Sequence, residues 1–139
     1  MESEDIIKPV TEPTDWCAPM VVVMKKKGNV TICVDLKGLN KNIKRERYMI
    51  PTVDDILPQL AGATKFSKLD AASGYWQLPL DEESALRTTF IAPNGRFFFR
   101  RLPFGISASA SEIFQREMSR IVTGLEGVCV YQNGIIYSF

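Results

Sequence analysis

The sequence predicts an α+β fold, an antiparallel sheet packed with helices, on three observations. Two stretches read as β-hairpins, Met20–Met24 with Val30–Asp35 and Val128–Val130 with Ile135–Tyr137. The turn Pro93-Asn94-Gly95 precedes the aromatic run Arg96–Leu102, which reads as a further strand. Ser107–Val122 places Ile113, Phe114, Met118, Ile121 and Val122 at the three- and four-residue spacing of one helix face, with serines at its start.

In order along the chain, an acidic leader ends at Pro13 and the β-branched run MVVVM follows. The tip of its hairpin is Lys-Lys-Lys-Gly-Asn, and Val30, Ile32 and Val34 alternate in the returning strand. Residues 36–51 are polar, basic and irregular as far as Pro51. Thr52-Val-Asp-Asp then opens a short helix with a hydroxyl-to-acid capping pattern, and Ile56, Leu57 and Leu60 supply its buried face. Lys65–Asp70 reads as a strand that delivers Asp70 to its C-terminal end, before a Ser73-Gly74 turn. Trp76–Leu80 and Leu86–Ile91 are further strand candidates. Gly124–Gly127 ends the long helix, and Asn133-Gly134 is the strongest two-residue hairpin signal, suited to a type I′ turn in which both central residues take positive φ.

Composition narrows the function. At 139 residues, 45% hydrophobic and 24% charged, the chain has the make-up of a single folded domain and not of a disordered or low-complexity segment. No apolar run approaches the roughly 18 residues of a membrane helix, and MESEDIIKP is acidic where a secretory signal is basic and then apolar. The expectation is an intracellular protein, cytoplasmic or nuclear, with no membrane partner. Cys17, Cys33 and Cys129 are odd in number and far apart, which argues for buried free thiols over a disulfide framework or a zinc site. The absence of histidine removes imidazole-based catalysis, leaving carboxylate, lysine or metal chemistry.

The net charge of +1 is unevenly spread. Residues 1–15 carry −4, whereas residues 25–47 carry +6, from Lys25, Lys26, Lys27, Lys37, Lys41, Lys44, Arg45 and Arg47 against Asp35 and Glu46. A basic segment on a neutral domain suits a phosphate-contacting surface, and a solvated lysine-rich face has the same composition.

The blocks ICVDLKGLNK, RERYMIPTVDDIL, FSKLDAASGYWQLPL, RRLPFGISASASEIFQREM and VYQNGIIYS, in this order and spacing, resemble the reverse transcriptase domain of Ty3/gypsy-type retrotransposons with long terminal repeats. The resemblance runs from about residue 6 to the last residue. It implies fingers over about residues 1–60 and mainly palm over 61–139, in one partial domain without thumb, connection or ribonuclease H. It also implies a two-metal polymerase in active relatives, with carboxylates holding Mg²⁺ ions about 4 Å apart.

By that resemblance Asp70 matches a metal-binding carboxylate. Ser73 and Gly74 match the turn that receives the triphosphate, Tyr75 the residue that excludes a ribose 2′-hydroxyl, Phe104 and Gly105 the segment beside the incoming nucleotide, and Lys26 a triphosphate contact. Lys25, Lys26, Lys27, Lys41, Lys44, Arg45 and Arg47 are the expected nucleic-acid contacts. From the residues alone, Asp70 also reads as a strand-end turn former and Tyr75 as a core aromatic beside Trp76.

The chain departs from the family where the family's chemistry resides. The Tyr-x-Asp-Asp hallmark reads Tyr131-Gln132-Asn133-Gly134, so two metal-binding aspartates are replaced, and Thr31 stands where an arginine usually faces the triphosphate. Hard cations are held chiefly by anionic oxygens, and Thr cannot make a charge-assisted contact to phosphate. The expectation is a catalytically inactive domain with no tightly bound cofactor, Asp70 being a weak metal ligand by itself. Such a domain either retains nucleic-acid binding, to a template-primer or a single strand, or serves as a redeployed protein-interaction or regulatory module. An exposed sheet edge, with FIA, FFF and IIYSF as apolar contributors, is expected to drive self-association or partner binding.

Overall fold

The computed structural model describes residues 1–24, 30–45, 47–131 and 134–139, with the backbone alone for residues 30–32, 108 and 109. The expected sites Lys25, Lys26, Lys27 and Asn133 lie outside the described residues. The chain forms two compact units, one from residues 1–43 and 75–107, the other from 44–74 and 108–139.

The first unit carries a five-stranded sheet ordered β1-β6-β5-β2-β3, from β1 (Ile7–Pro9), β2 (Ala18–Met24), β3 (Val30–Val34), β5 (Phe90–Ala92) and β6 (Gly95–Phe99). The predicted β2–β3 hairpin is present, with Met20 opposite Val34 and Met24 opposite Val30. The sheet is mixed, because β2 runs parallel to β5 at Ala18 and Pro19. Phe90, Phe97 and Phe99 stack with ring centroids 5.1–6.1 Å apart and join Ile6, Ala18 and Leu36 in the core. The FFF run is therefore largely interior, against the expectation of an exposed apolar patch, because β6 is flanked by β1 and β5 and its alternate residues point into this core.

Two strand expectations in this unit fail for local reasons. Gly74–Gln77 winds into a 3-10 turn, held by bonds such as Leu78 N–H to the Tyr75 carbonyl (3.0 Å), so Trp76–Leu80 is not a strand. Glu82–Arg87 is helix α3, because Asp81 caps it by accepting from the Ser84 amide (2.9 Å), and Glu82 and Glu83 favour its first turn. Of the predicted Leu86–Ile91 strand only Phe90 and Ile91 are extended, as the start of β5, which runs on to Ala92. Residues 36–51 include a short helix, α1 (Lys37–Asn40).

The second unit holds α2 (Val53–Ile56), α4 (Ala108–Val122) and a three-stranded antiparallel sheet ordered β4-β8-β7, from β4 (Phe66–Asp70), β7 (Val128–Tyr131) and β8 (Gly134–Ser138). Thr52 and Asp55 form the predicted capping box of α2. Helix α4 runs as predicted, but its buried side differs: Ala110, Glu112, Phe114 and Gln115 are buried, while Ile121 is 65% exposed. Gln115 is tolerated inside because its Nε2 donates to the Val130 carbonyl at 3.0 Å. Gly134 is not the second central residue of the expected turn, since it pairs with Tyr131 as the first residue of β8 and takes no positive φ; Asn133 lies outside the described residues. Of the cysteines, only Cys129 is buried, whereas Cys17 and Cys33 are exposed, correcting the expectation of three buried thiols. Strand β4 is exposed along its length, with Phe66 and Leu69 at 57% and 60%, because it pairs with β8 alone.

Candidate nucleotide and nucleic-acid site

Asp70 sits at the C-terminal end of β4, exposed, and directly opposite Gly134 of β8 in the antiparallel register. The residue beyond it in the predicted turn, Ser73, has φ +51°, and Gly74 follows with its amide donating to the Ala71 carbonyl at 3.1 Å. Gly74 packs against the buried Phe114 ring so closely that a Cβ there would stand 2.7 Å from Cζ. Asp70, Ser73, Gly74 and Gly134 thus belong to one unit, on the β4–β8 pair and the turn that leaves it.

These residues do not fit a two-metal centre. Gly134 offers no side-chain oxygen, and among the described residues no three His, Cys, Asp or Glu side chains are grouped to hold a cation. One carboxylate facing divalent cations leaves most of their charge and coordination to water.

Tyr75, Phe104 and Gly105 lie in the first unit. Phe104, 54% exposed, packs against Tyr75 (centroids 5.2 Å apart, tilted 57°) and edge-on to Trp76 (5.5 Å, 72°). The Trp76 indole N–H is buried and has no hydrogen-bond partner among the described residues. Gly105 follows Phe104 with φ +93°, a left-handed conformation that glycine adopts without strain.

Of the expected basic contacts, Lys41, Lys44, Arg45 and Arg47 are all exposed. Arg45 and Arg47 line a cleft of about 570 Å³ together with Tyr48 and Glu112. Glu112 is a residue that the sequence reading missed. Its side chain is 6% exposed, Oε1 accepts from the Arg45 guanidinium, and Oε2 is buried without a partner among the described residues. The sequence held no local signal for it, since Glu112 lies past the first turn of the helix and its partner is 67 residues away.

A family described as "Reverse transcriptase (RNA-dependent DNA polymerase)" matches residues 23–138. An uncharacterized protein of Caenorhabditis elegans is 37% identical over 141 residues, covering 99% of this chain and 11% of that protein. The retrovirus-related Pol polyprotein from transposon 412 of Drosophila melanogaster is 36% identical over 125 residues, covering 84% of this chain and 10% of that protein. The chain therefore spans about a tenth of the length of these curated relatives. Among solved structures, a prototype foamy virus protease-reverse transcriptase superposes with a TM-score of 0.81 at 22% identity, over 99% of this chain and 18% of that one. A foamy viral protease-reverse transcriptase in complex with RNA/DNA hybrid gives 0.76 at 19% identity, over 96% of this chain and 18% of that one.

Proposed function

The chain belongs to the reverse transcriptase (RNA-dependent DNA polymerase) family, and we propose that it is a retroelement-derived segment of the Ty3/gypsy kind that binds nucleic acid without polymerising it. On this reading the β2–β3 hairpin belongs to the fingers, and the β4-β8-β7 sheet with α4 to the palm. Tyr75, Phe104 and Gly105 form a face for a base or nucleotide, and Ser73 and Gly74, in the other unit, are the turn assigned to the triphosphate. Lys25, Lys26, Lys27, Lys41, Lys44, Arg45 and Arg47 neutralise phosphates. The foamy viral relative solved with an RNA/DNA hybrid makes nucleic acid the natural ligand class. No helix among the described residues is long and apolar enough to cross a membrane, and the proposed setting is intracellular, cytoplasmic or nuclear.

The observation that carries the binding half is the exposure of Arg45 and Arg47 in one cleft; Lys41 and Lys44 are exposed as well. The observation that carries the inactive half is Asp70 facing Gly134. In active relatives Mg²⁺ activates the primer hydroxyl and bridges the triphosphate; the oxygens needed for that are absent from the Gly134 position. Loss of members of a catalytic set that acts as a unit costs orders of magnitude in rate.

Fluorescence anisotropy with a labelled RNA–DNA hybrid and a single strand, at several salt concentrations, tests the binding half. Micromolar or tighter affinity that falls steeply with salt is expected, because released counterions drive phosphate contacts. Mg²⁺-dependent primer extension by this chain would overturn the inactive half.

A second reading, a redeployed protein-interaction module, is favoured by exposed Phe66 and Leu69 on the open edge of β4. It expects self-association or a stable protein partner together with indifference to nucleic acid at low salt. Light scattering at micromolar concentration separates the two.

A further inference from the structure

Asn40 closes helix α1, and its backbone is fixed from several directions. The α1 entry is shaped by Asp35 capping the Lys37 amide, Leu36 is buried in the core at 2% exposure, and the Asn40 amide donates to the Leu36 carbonyl at 2.8 Å. From this anchored position the side chain reaches a segment 65 residues away in sequence. Nδ2 donates to the Gly105 carbonyl at 2.8 Å, and Oδ1 accepts from the Ser107 amide at 2.9 Å. One carboxamide thus satisfies a donor and an acceptor of the same loop, fixing its orientation as well as its distance.

That loop presents Phe104. Leu102 and Pro103 before it are buried, Ile106 after it packs on the core, and Gly105 between takes its left-handed φ. With both ends seated, the conformation of Gly105 decides where the exposed Phe104 ring stands relative to Tyr75 and Trp76.

We propose that Asn40 is a positioning residue whose carboxamide, bonded to the Gly105 carbonyl and the Ser107 amide, sets the Phe104–Tyr75 face for an unpaired base or nucleotide. The inference rests on the assignment of that face to nucleotide contact in the preceding section. The side chain touches no ligand itself and is placed to act through the loop.

The test uses Asn40→Ala and Asn40→Asp in the full chain, with Trp16→Phe as the background so that Trp76 is the sole indole emitter. Asn40→Asp keeps the acceptor for Ser107 but sets an anionic oxygen against the Gly105 carbonyl. Trp76 emission reports the Phe104 contact, and anisotropy of a labelled single-stranded oligonucleotide reports binding. Both variants are expected to keep the circular dichroism of the parent, shift Trp76 emission, and raise the dissociation constant about tenfold, the scale of a pair of lost hydrogen bonds. The slope of log affinity against log salt stays that of the parent, since no phosphate contact is lost. Lys41→Ala, the contrasting control, lowers that slope by about one. An Asn40→Ala variant whose emission is unchanged, or whose emission shifts while affinity stays within twofold of the parent, overturns the proposal. If the parent binds no strand at low salt, the nucleotide assignment itself fails, and the emission of the variants alone decides whether Asn40 sets the loop.

Discussion

Asp70 and Gly134 face each other across the β4–β8 pair, and a Cβ on Gly134 would stand 3.1 Å from the Leu69 carbonyl oxygen. That contact is tighter than strands ordinarily make, so any side chain there must displace β4 by tenths of an ångström. A carboxylate would in addition lie beside Asp70, and two such charges about 4 Å apart repel by about 1–4 kcal/mol at surface-like dielectric. Asn133→Asp combined with Gly134→Asp is therefore expected to lower the melting temperature in metal-free buffer. Added Mg²⁺ should recover part of that loss in the double variant and leave the parent unmoved. A higher melting temperature for the double variant without metal would sink the idea.

Gly74 owes its identity to Phe114. A Cβ would meet the ring at 2.7 Å (Cζ) and 3.0 Å (Cε2), and Phe114 is 2% exposed with no room to retreat. Gly74→Ala is expected to cost about 1–3 kcal/mol, the range for overpacking a filled interior. Urea unfolding checks this through a lower midpoint at unchanged slope. Phe114→Leu removes the ring and should make the two substitutions clearly non-additive; strict additivity would place the strain elsewhere.

The Arg45–Glu112 pair is asymmetric, with side-chain exposures of 55% and 6%. Arg45→Ala leaves a buried carboxylate with neither oxygen paired among the described residues, at an expected cost of about 1–3 kcal/mol, since orphaning a buried charged group forfeits its hydration. Glu112→Gln in the same background should recover part of the loss, giving a coupling of about 0.5–3 kcal/mol in a double-mutant cycle. A cycle that closes additively would mean that Arg45 contributes to the cleft and not to folding.

How far the sequence carried the fold depended on the range of the signals. The β2–β3 hairpin, the span of α4 and the Thr52–Asp55 capping box were legible because each is set by neighbours in the chain. Leu86–Ile91 misled because β-branched and apolar residues outweighed the Asp81 cap, although Asp81 with Glu82 and Glu83 is a helix start in its own right. Partners distant in sequence were invisible: Asn40 meets Gly105 across 65 residues and Arg45 meets Glu112 across 67, and no periodicity encodes either. Asp70 was legible because a strand end before a glycine turn is a local pattern, whereas the pairing of Asp70 with Gly134 is a matter of sheet register. Burial of Phe97 and Phe99 likewise depends on β1 and β5 flanking β6, and β1 had no signal beyond a short Ile-Lys-Pro run.

Acid should weaken two helix starts together. Asp55 is held below the ordinary carboxylate value first by the Thr52 hydroxyl (2.7 Å) and then by the Thr52 amide (2.8 Å). Asp81 is lowered in the same direction, first by the Ser84 side chain and then by the Ser84 amide (2.9 Å). A carboxylate with a depressed folded-state pKa stabilises fully above its unfolded value and loses that contribution as the pH falls through the folded value. The loss therefore begins near pH 4 and continues below it, about where a free aspartate titrates. Melting temperatures measured between about pH 5 and about pH 2 should fall in the parent. The slope should be shallower in a chain carrying Asp55→Asn and Asp81→Asn, whose amide oxygens still accept from the cap but carry no titrating proton. Both side chains are in open solvent, so the difference is a modest one, visible in the slope more than in the plateau. An acid limb equally steep in parent and variant would assign the loss to other carboxylates, with Glu117, lowered first by its bond from Arg120, as the next to replace.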